Sequence, residues 1–266
     1  MTLNLTPIAH GTLCHGARWS IVNEDQLAEQ VARVAMGQYR HVARILEGME
    51  GGAPRTSKDH AEDAKRKMEV SVNGDPWHRD GWIFQVISWL GALQVQSAQS
   101  ATASPHIFKA HKGFDGLQLE LGSEHNSIVA IVIFEDKATT DPRTTIREDV
   151  WPAIESFEQG KRVGELTSEL TSLLEGQQSK YPDLDVDAVI DTVIWKDARR
   201  YRVCITTGST HASDANRKGL FGGYDTKAGG DLVRRRAESM HFDDLRDWME
   251  KFAAKVTAKI DEIANV

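Results

Sequence analysis

The sequence predicts an α/β (α+β) fold with a mixed central sheet flanked by helices. Two neighbouring segments have the patterns of paired strands, and several longer segments repeat apolar residues at helical spacing. No apolar run approaches the roughly 18 residues of a membrane span. No clear linker divides the chain, so we expect one domain over residues 1–266, with a core at about 80–210, an N-terminal helical part at 1–79 and a C-terminal helix at 241–266.

Composition and charge indicate a folded globular protein and disfavour a secreted protein or a general nucleic-acid binder. Apolar residues make up 40% and charged residues 27% of the chain, which is the balance of a folded globular protein. The formal net charge of -7 disfavours a general nucleic-acid binder but leaves room for local basic clusters. The N-terminus lacks the pattern of a secretory signal, and the two cysteines, Cys14 and Cys204, are far apart. We therefore expect a cytoplasmic protein.

The first third of the chain is predicted to be largely helical. Residues 24–50 form a predicted helix because their apolar residues recur at helical spacing before a group of glycines. Residues 51–76 are polar and predict a loop with a short exposed helix. Asp80 is the predicted N-cap of a second helix at about 81–96. That helix is apolar nearly all round, so we expect it to be buried against a sheet.

Residues 114–137 predict two antiparallel strands joined by a turn. The segment GFDGLQLEL alternates, GSEHNS supplies turn residues, and IVAIVIFEDK is apolar on both faces at its centre, as in an interior strand. A turn centred on His125 makes apolar residues face each other across the two strands. The predicted pairs are Leu121 with Val129, Leu119 with Ile131, and Leu117 with Ile133.

The second half of the chain is predicted to contain helix, hairpin, loop and helix in that order. A helix is expected at 143–176, with a break or a new first turn at Pro152. A second hairpin is expected at 191–208, with its turn near 196–200. Residues 208–231 are rich in Gly, Ser and Asp and predict a long loop. The predicted C-terminal helix is amphipathic.

The predicted register brings three chemically active residues to the open end of the first hairpin. The next pair in the series is Asp115 with Glu135, and Lys137 points the same way two residues further on. Opposed carboxylates destabilise a sheet unless something offsets their repulsion. Paired hard oxygen ligands suit Mg²⁺ or Mn²⁺, which polarises a phosphoryl oxygen and lowers the pKa of a bound water. Lys137 would orient that water and stabilise the developing charge.

The string GFDGLQLEL followed by FEDKAT resembles the core of the PD-(D/E)XK nuclease superfamily, in particular its restriction-type and anti-phage members. The resemblance covers about residues 80–160 and implies a restriction-endonuclease-like core. It also implies roles for four residues. Asp115 and Glu135 would be metal ligands, the backbone carbonyl of Asp136 a possible third ligand, and Lys137 the catalytic lysine.

The sequence departs from the family pattern at two positions. Phe114 stands where the family has a proline, and Gln85 stands where many members carry an acidic residue on an earlier helix. Gln85 is therefore a candidate substrate contact rather than a ligand. His111 and Lys112 lead directly into Asp115 and are candidate phosphate contacts.

The resemblance implies a Mg²⁺-dependent endonuclease that hydrolyses phosphodiester bonds, with DNA as its substrate, in bacterial restriction or anti-phage defence. We find no helicase motif and no DNA-reading helix-turn-helix, so a partner protein such as a helicase or ATPase would direct it. We expect no membrane contact, and a homodimer would allow both strands to be cut.

Three alternatives stay open at this stage. Asp115 could lie in a turn and Glu135 in a surface ion pair, without any function. The chain could be a non-catalytic binding or assembly subunit of a defence complex on a nuclease-like scaffold, which the acidic net charge favours. It could also hydrolyse small phosphorylated molecules. Three tryptophans are candidates for base stacking, although helical spacing favours core packing for the last two: Trp77, Trp82 and Trp89.

Overall fold

The computed structural model of the chain describes residues 2–49, 51–71, 74–106, 113–123, 127–177, 180–182, 184–194 and 198–264. A mixed sheet of seven strands organises these residues. The strands are β1 (Leu3–Ala9), β2 (His15–Ile21), β3 (Ser100–Thr102), β4 (Gly116–Leu121), β5 (Ile128–Lys137), β6 (Arg199–Thr207) and β7 (Arg235–His241).

The strands lie in the order β1-β2-β7-β6-β5-β4-β3. The four inner strands β2, β7, β6 and β5 are parallel to one another. The flanking strands β1, β4 and β3 pair antiparallel. The prediction of a mixed central sheet is therefore confirmed.

Helices cover both faces of this sheet. They are α1 (Glu24–Ala35), α2 (Tyr39–Leu46), α3 (Lys58–Met68), α4 (Trp77–Val95), α5 (Pro142–Thr145), α6 (Trp151–Glu158), α7 (Val163–Gln177), α8 (Val186–Ile194), α9 (Asp214–Leu220), α10 (Tyr224–Lys227) and α11 (Leu245–Ala264). One core forms between the sheet and α1 to α4 with α11. A second core forms on the other face, beneath α6 to α10. None of the described helices has both the length and the hydropathy of a membrane-spanning segment.

The helix α4 is buried along most of its length, as its apolar composition predicts. Trp82 and Trp89 both pack in the first core, whereas Trp77 at the start of the helix is exposed. The prediction that Asp80 caps this helix is wrong, because the helix begins at Trp77. Asp80 instead lies buried inside the helix, where the guanidinium groups of Arg79 and Arg246 balance its charge.

The hairpin of β4 and β5 has the predicted register at its centre. Leu119 pairs with Ile131, and Leu117 pairs with Ile133. The predicted pairing of Leu121 with Val129 is wrong, because the register shifts after Glu120 and Leu121 pairs with Ile128. The turn residues 124–126, including the predicted centre His125, lie outside the described residues.

The N-terminal part contains two strands that the sequence did not predict, so it is not purely helical. β1 and β2 pair with each other, and β2 continues the sheet by pairing with β7. The predicted helix at 24–50 is divided into α1 and α2. Gly37 lies between them with a φ of 76°, a left-handed conformation that glycine adopts without steric cost.

The long helix predicted at 143–176 is interrupted in two places. A π-helical turn at Ile146–Val150 separates α5 from α6, and Pro152 lies in the first turn of α6, as expected for a proline without an N–H. Gly160, with a φ of 74°, then ends the run before α7. The predicted helix therefore ends at Gly160 and not at Pro152.

The hairpin predicted at 191–208 is wrong. Its first part belongs to α8, and its second part is the single strand β6, which pairs with β5 on one side and β7 on the other. Because β5 and β7 provide hydrogen-bond partners along both edges of β6, this strand needs no hairpin partner next to it in sequence. The loop predicted at 208–231 contains α9 and α10, whereas the amphipathic C-terminal helix is confirmed as α11.

Candidate active site

The side chains of Asp115, Glu135 and Lys137 meet where β5 ends. The Lys137 ammonium nitrogen lies 2.9 Å from Oδ2 of Asp115 and 3.0 Å from Oε2 of Glu135. The backbone N–H of Asp136 also donates to Oδ2 of Asp115, at 2.7 Å. The structure therefore brings two carboxylates and one amine into direct contact.

Strand geometry explains this convergence. Alternate residues of a strand face the same side, so Glu135 and Lys137 continue the row of Ile131 and Ile133, which pack in the second core. Asp115 precedes β4 by one residue, and its N–H donates to the carbonyl of Phe134. The apolar part of the hairpin thus sets the position of the polar groups at its end.

Glu135 is the most buried member of the group, with 4% of its surface exposed. Its Oε1 atom has no hydrogen-bond partner among the described residues. Burial raises the pKa of Glu135 to about 7. The positive charge of Lys137 lowers this pKa, and the negative charge of Asp115 raises it further. A buried carboxylate oxygen without a partner costs free energy, so this atom is suited to an additional positive ligand.

Lys137 keeps its proton in this setting. Burial lowers its pKa, but the carboxylates of Glu135 and Asp115 raise it by more, so the pKa lies above the ordinary value. About a quarter of the side chains of Lys137 and Asp115 is exposed, at 26% and 24%. Lys137 and Asp115 are therefore partly exposed, whereas Glu135 is buried.

Helix α4 supports the site from the other face of the sheet. Gln85, predicted as a substrate contact, is buried, and its amide nitrogen donates to the backbone carbonyl of Asp115 at 2.6 Å. One turn later, the hydroxyl of Ser88 donates to Oδ1 of Asp136 at 2.7 Å. The side chain of Asp136 therefore faces α4, so only its main chain adjoins the three-residue group.

A buried charged network extends behind the site. Arg202 donates to Oε2 of Glu238 from Nε at 2.9 Å and from Nη2 at 2.6 Å, and its Nη1 donates to Ser88 at 2.7 Å. The same guanidinium lies 3.7 Å from Oδ1 of Asp136. Burial raises the pKa of Asp136 to about 7, and Arg202 opposes that increase. Trp19 completes the network by donating to Glu238 at 2.7 Å.

The structure adds a residue that sequence reasoning missed. Arg162, in the turn between α6 and α7, places Nη1 at 4.0 Å from the unpartnered Oε1 of Glu135. Its Nε and Nη2 donate to Glu165 at 2.8 and 2.6 Å. In the sequence, Arg162 and Glu165 have the ordinary pattern of a charge pair at the start of a helix, which gave no signal of a site.

The donor atoms of the group fit a hard divalent cation. Asp115 and Glu135 supply carboxylate oxygens, and the main-chain carbonyl of Asp136 is close in sequence. The described residues hold no group of three or more His, Cys, Asp or Glu side chains arranged for a metal. The ligands available to such a cation would be the two carboxylates and this carbonyl. His111 and Lys112 lie outside the described residues.

Two surface cavities of the described region lie away from this group. One, of about 350 Å³, is lined by residues that include Gln118, Glu120 and Arg236. The other, of about 490 Å³, includes His10, Arg18 and Arg217. Neither cavity holds paired carboxylates beside an amine, so the chemistry points to the end of β5.

The chain matches no protein-family model, and a search of curated proteins finds no significant match.

Proposed function

We propose that the chain is a nuclease that hydrolyses phosphodiester bonds with the help of Mg²⁺ or Mn²⁺, and that DNA is its substrate. The observation that carries this proposal is the contact of Asp115, Glu135 and Lys137, in which one buried oxygen of Glu135 lacks a partner. The sequence resemblance supports membership of the PD-(D/E)XK superfamily, a restriction-endonuclease-like core and a role in restriction or anti-phage defence.

Each residue has a distinct role in this proposal. Asp115 and Glu135 would hold the cation, with the carbonyl of Asp136 as a further ligand. When bound, the cation supplies Lewis acidity toward a phosphoryl oxygen and lowers the pKa of a bound water. Lys137, which keeps its proton, donates to a phosphoryl oxygen and stabilises the negative charge that develops during hydrolysis.

The test is a cleavage assay with labelled DNA and RNA in Mg²⁺ and in Mn²⁺. We expect the wild-type protein to cut, and Asp115→Ala and Lys137→Ala each to lower the rate at least about a hundredfold. Asp149→Ala and Lys161→Ala are matched controls, because both residues are exposed and neither belongs to the group. Circular dichroism checks that all variants fold.

The assay is repeated with the product of the neighbouring gene, because a partner such as a helicase or ATPase would direct the nuclease to its substrate. If neither polymer is cut in either metal under both conditions, the nuclease proposal is wrong. Cleavage of mononucleotides but not of polymers would assign the site to small phosphorylated molecules instead.

One observation favours a second candidate, a non-catalytic binding or assembly subunit. Lys137 forms ion pairs with both carboxylates, so the three side chains largely balance each other's charge without a metal ion. Calorimetric titration with Mn²⁺ separates the two candidates. The nuclease proposal predicts binding that Glu135→Ala abolishes, whereas the scaffold proposal predicts no binding by either protein.

A further inference from the structure

We propose that Arg162 is a substrate-binding residue that contacts a phosphate oxygen of the nucleic acid. This inference rests on the proposed nuclease function and assigns the residue that would recognise the substrate's anionic group.

The guanidinium of Arg162 is held on one edge and one face. Two of its nitrogens donate to the carboxylate of Glu165, in the paired geometry that fixes an arginine most firmly. Its Cζ lies 4.3 Å from the centre of the Phe157 ring. That ring is itself packed edge-on against Phe114, at 5.9 Å between centroids. Little conformational entropy then remains to be lost when the guanidinium binds a ligand.

The third nitrogen faces the carboxylate group without bonding to it. Nη1 lies 4.0 Å from Oε1 of Glu135, which is beyond hydrogen-bond distance. Two polar atoms therefore face each other across a gap, and one of them is buried without a partner among the described residues. Arginine pairs well with phosphate oxygens, so a phosphate at the edge of this gap would satisfy Nη1.

The exposed charges around the gap favour an anion. Lys137 lies near one carboxylate oxygen of Glu135, and Arg162 lies near the other. Their side chains are 21% and 26% exposed, whereas that of Glu135 is 5% exposed. An approaching phosphodiester therefore meets two partly exposed cationic side chains, whereas the carboxylate of Glu135 is covered.

A purely structural role is the alternative to phosphate binding by Arg162. Arg162 precedes α7, and its bond to Glu165 in the first turn stabilises that helix. Loss of this role would lower thermal stability but would not change how substrate binding depends on salt. Each phosphate contact made by a cationic side chain contributes about 0.9 to the slope of log affinity against log salt concentration. The salt slope therefore distinguishes the two roles.

The experiment measures binding of a fluorescein-labelled DNA oligonucleotide by anisotropy over a salt series, with EDTA so that no cleavage occurs. We expect Arg162→Ala to weaken binding about tenfold and to reduce the salt slope by about one. Arg162→Lys should keep the slope but bind more weakly, because it preserves the charge and loses the planar fork. Arg147→Ala, at an exposed arginine just before α6, is the matched control and should behave as wild type.

Steady-state cleavage in Mg²⁺ provides a second readout, in which Arg162→Ala should raise KM more than it lowers kcat. If Arg162→Ala leaves both the salt slope and KM unchanged while the wild type still cuts, the inference is wrong and the nuclease proposal stands. If the wild-type protein neither binds nor cuts DNA, both fail together.

Discussion

At the residue scale, Glu135 shows how burial changes the chemistry of a side chain. In water a glutamate is ionised at neutral pH, but here burial raises the pKa to about 7. Lys137, Asp115 and Arg162 are the charged groups that act on it. The ionisation of Glu135 therefore depends on the charges of these three neighbours.

This environment predicts a specific pH dependence of stability. The folded protein keeps the Glu135 proton up to about pH 7, whereas the unfolded chain releases it near the ordinary value of 4.5. The resulting stabilisation is complete below the unfolded pKa and is lost as the pH rises through about 7. We expect Glu135→Gln, which cannot ionise, to become more stable relative to wild type as the pH increases over this range.

Urea denaturation of both proteins in EDTA, at several values between about pH 5 and pH 8, measures this difference. Asp136, whose pKa burial also raises to about 7, is present in both proteins. A difference in the free energy of unfolding that stays constant with pH would contradict the prediction.

The positions of the site residues were only partly predictable from the sequence. Asp115, Glu135 and Lys137 belong to two strands joined by a short turn, so alternation and register are enough to bring them together. Arg162 reaches the site through the packing of a helix turn against the sheet, which no local pattern encodes. The bond between Gln85 and the backbone of Asp115 likewise depends on how α4 crosses β4 and β5.

At the element scale, α4 connects the candidate site to the first core. Gln85 and Ser88 are three residues apart, so they lie on the same face of the helix. One contacts the backbone of Asp115 and the other the side chain of Asp136. A single rigid helix thus holds both strands that carry the site, and its apolar residues anchor it beneath the sheet.

The junction of β2 and β7 gives a prediction at the same scale. Gly16 pairs with Ala237, and a Cβ added at Gly16 would lie 1.9 Å from the Ala237 carbonyl oxygen. The φ of Gly16, 154°, is also one that residues with a side chain rarely adopt. We expect Gly16→Ala to lower the free energy of unfolding by about 3 kcal/mol, because the two backbones must separate.

Thermal and urea denaturation measure that loss. The control is Gly176→Ala, at an exposed position of α7 with open space around it, which should stabilise the helix by about 0.5–1 kcal/mol. Equal stability of Gly16→Ala and wild type would show that β2 does not approach β7 this closely.

Local elements were predicted better than distant pairings. Helices α4 and α11 and the hairpin of β4 and β5 carry their own periodicity, so each is visible in a short window of sequence. The strands β1, β2 and β7 were not predicted, and β6 was mistaken for half of a hairpin. β2 pairs with β7, and β6 pairs with β5 and β7, all of them far along the chain from their partners, and a strand pattern does not specify a distant partner.

At the scale of the whole molecule, the network around Arg202 joins elements from opposite parts of the chain. It connects α4, β5, β6 and β7 through Ser88, Asp136 and Glu238, and Trp19 adds β2. Arg202 and Glu238 are fully buried. Buried charges are tolerated only when they are paired, so the position of each strand depends on the others.

We expect Arg202→Met to destabilise the protein by about 3–5 kcal/mol, because Glu238 would be left buried without its main cationic partner. Arg200→Met is the matched control, since Arg200 lies two residues away and pairs with Glu120 at a partly exposed position. Its loss should cost at most about 1 kcal/mol. Urea denaturation at neutral pH compares the two, and similar losses would show that the buried network is no more important than a surface pair.

The position of β2 within the sheet also constrains how the protein is made. Trp19 and Glu238 are bonded across 219 residues of chain, and β2 has no parallel neighbour until β7 has left the ribosome. A two-stranded hairpin such as that of β1 and β2 is marginal on its own. During translation the edge of β2 that pairs with β7 therefore stays unpaired until β7 is synthesised. A nascent chain that stalls before β7 exposes that edge to association with other chains.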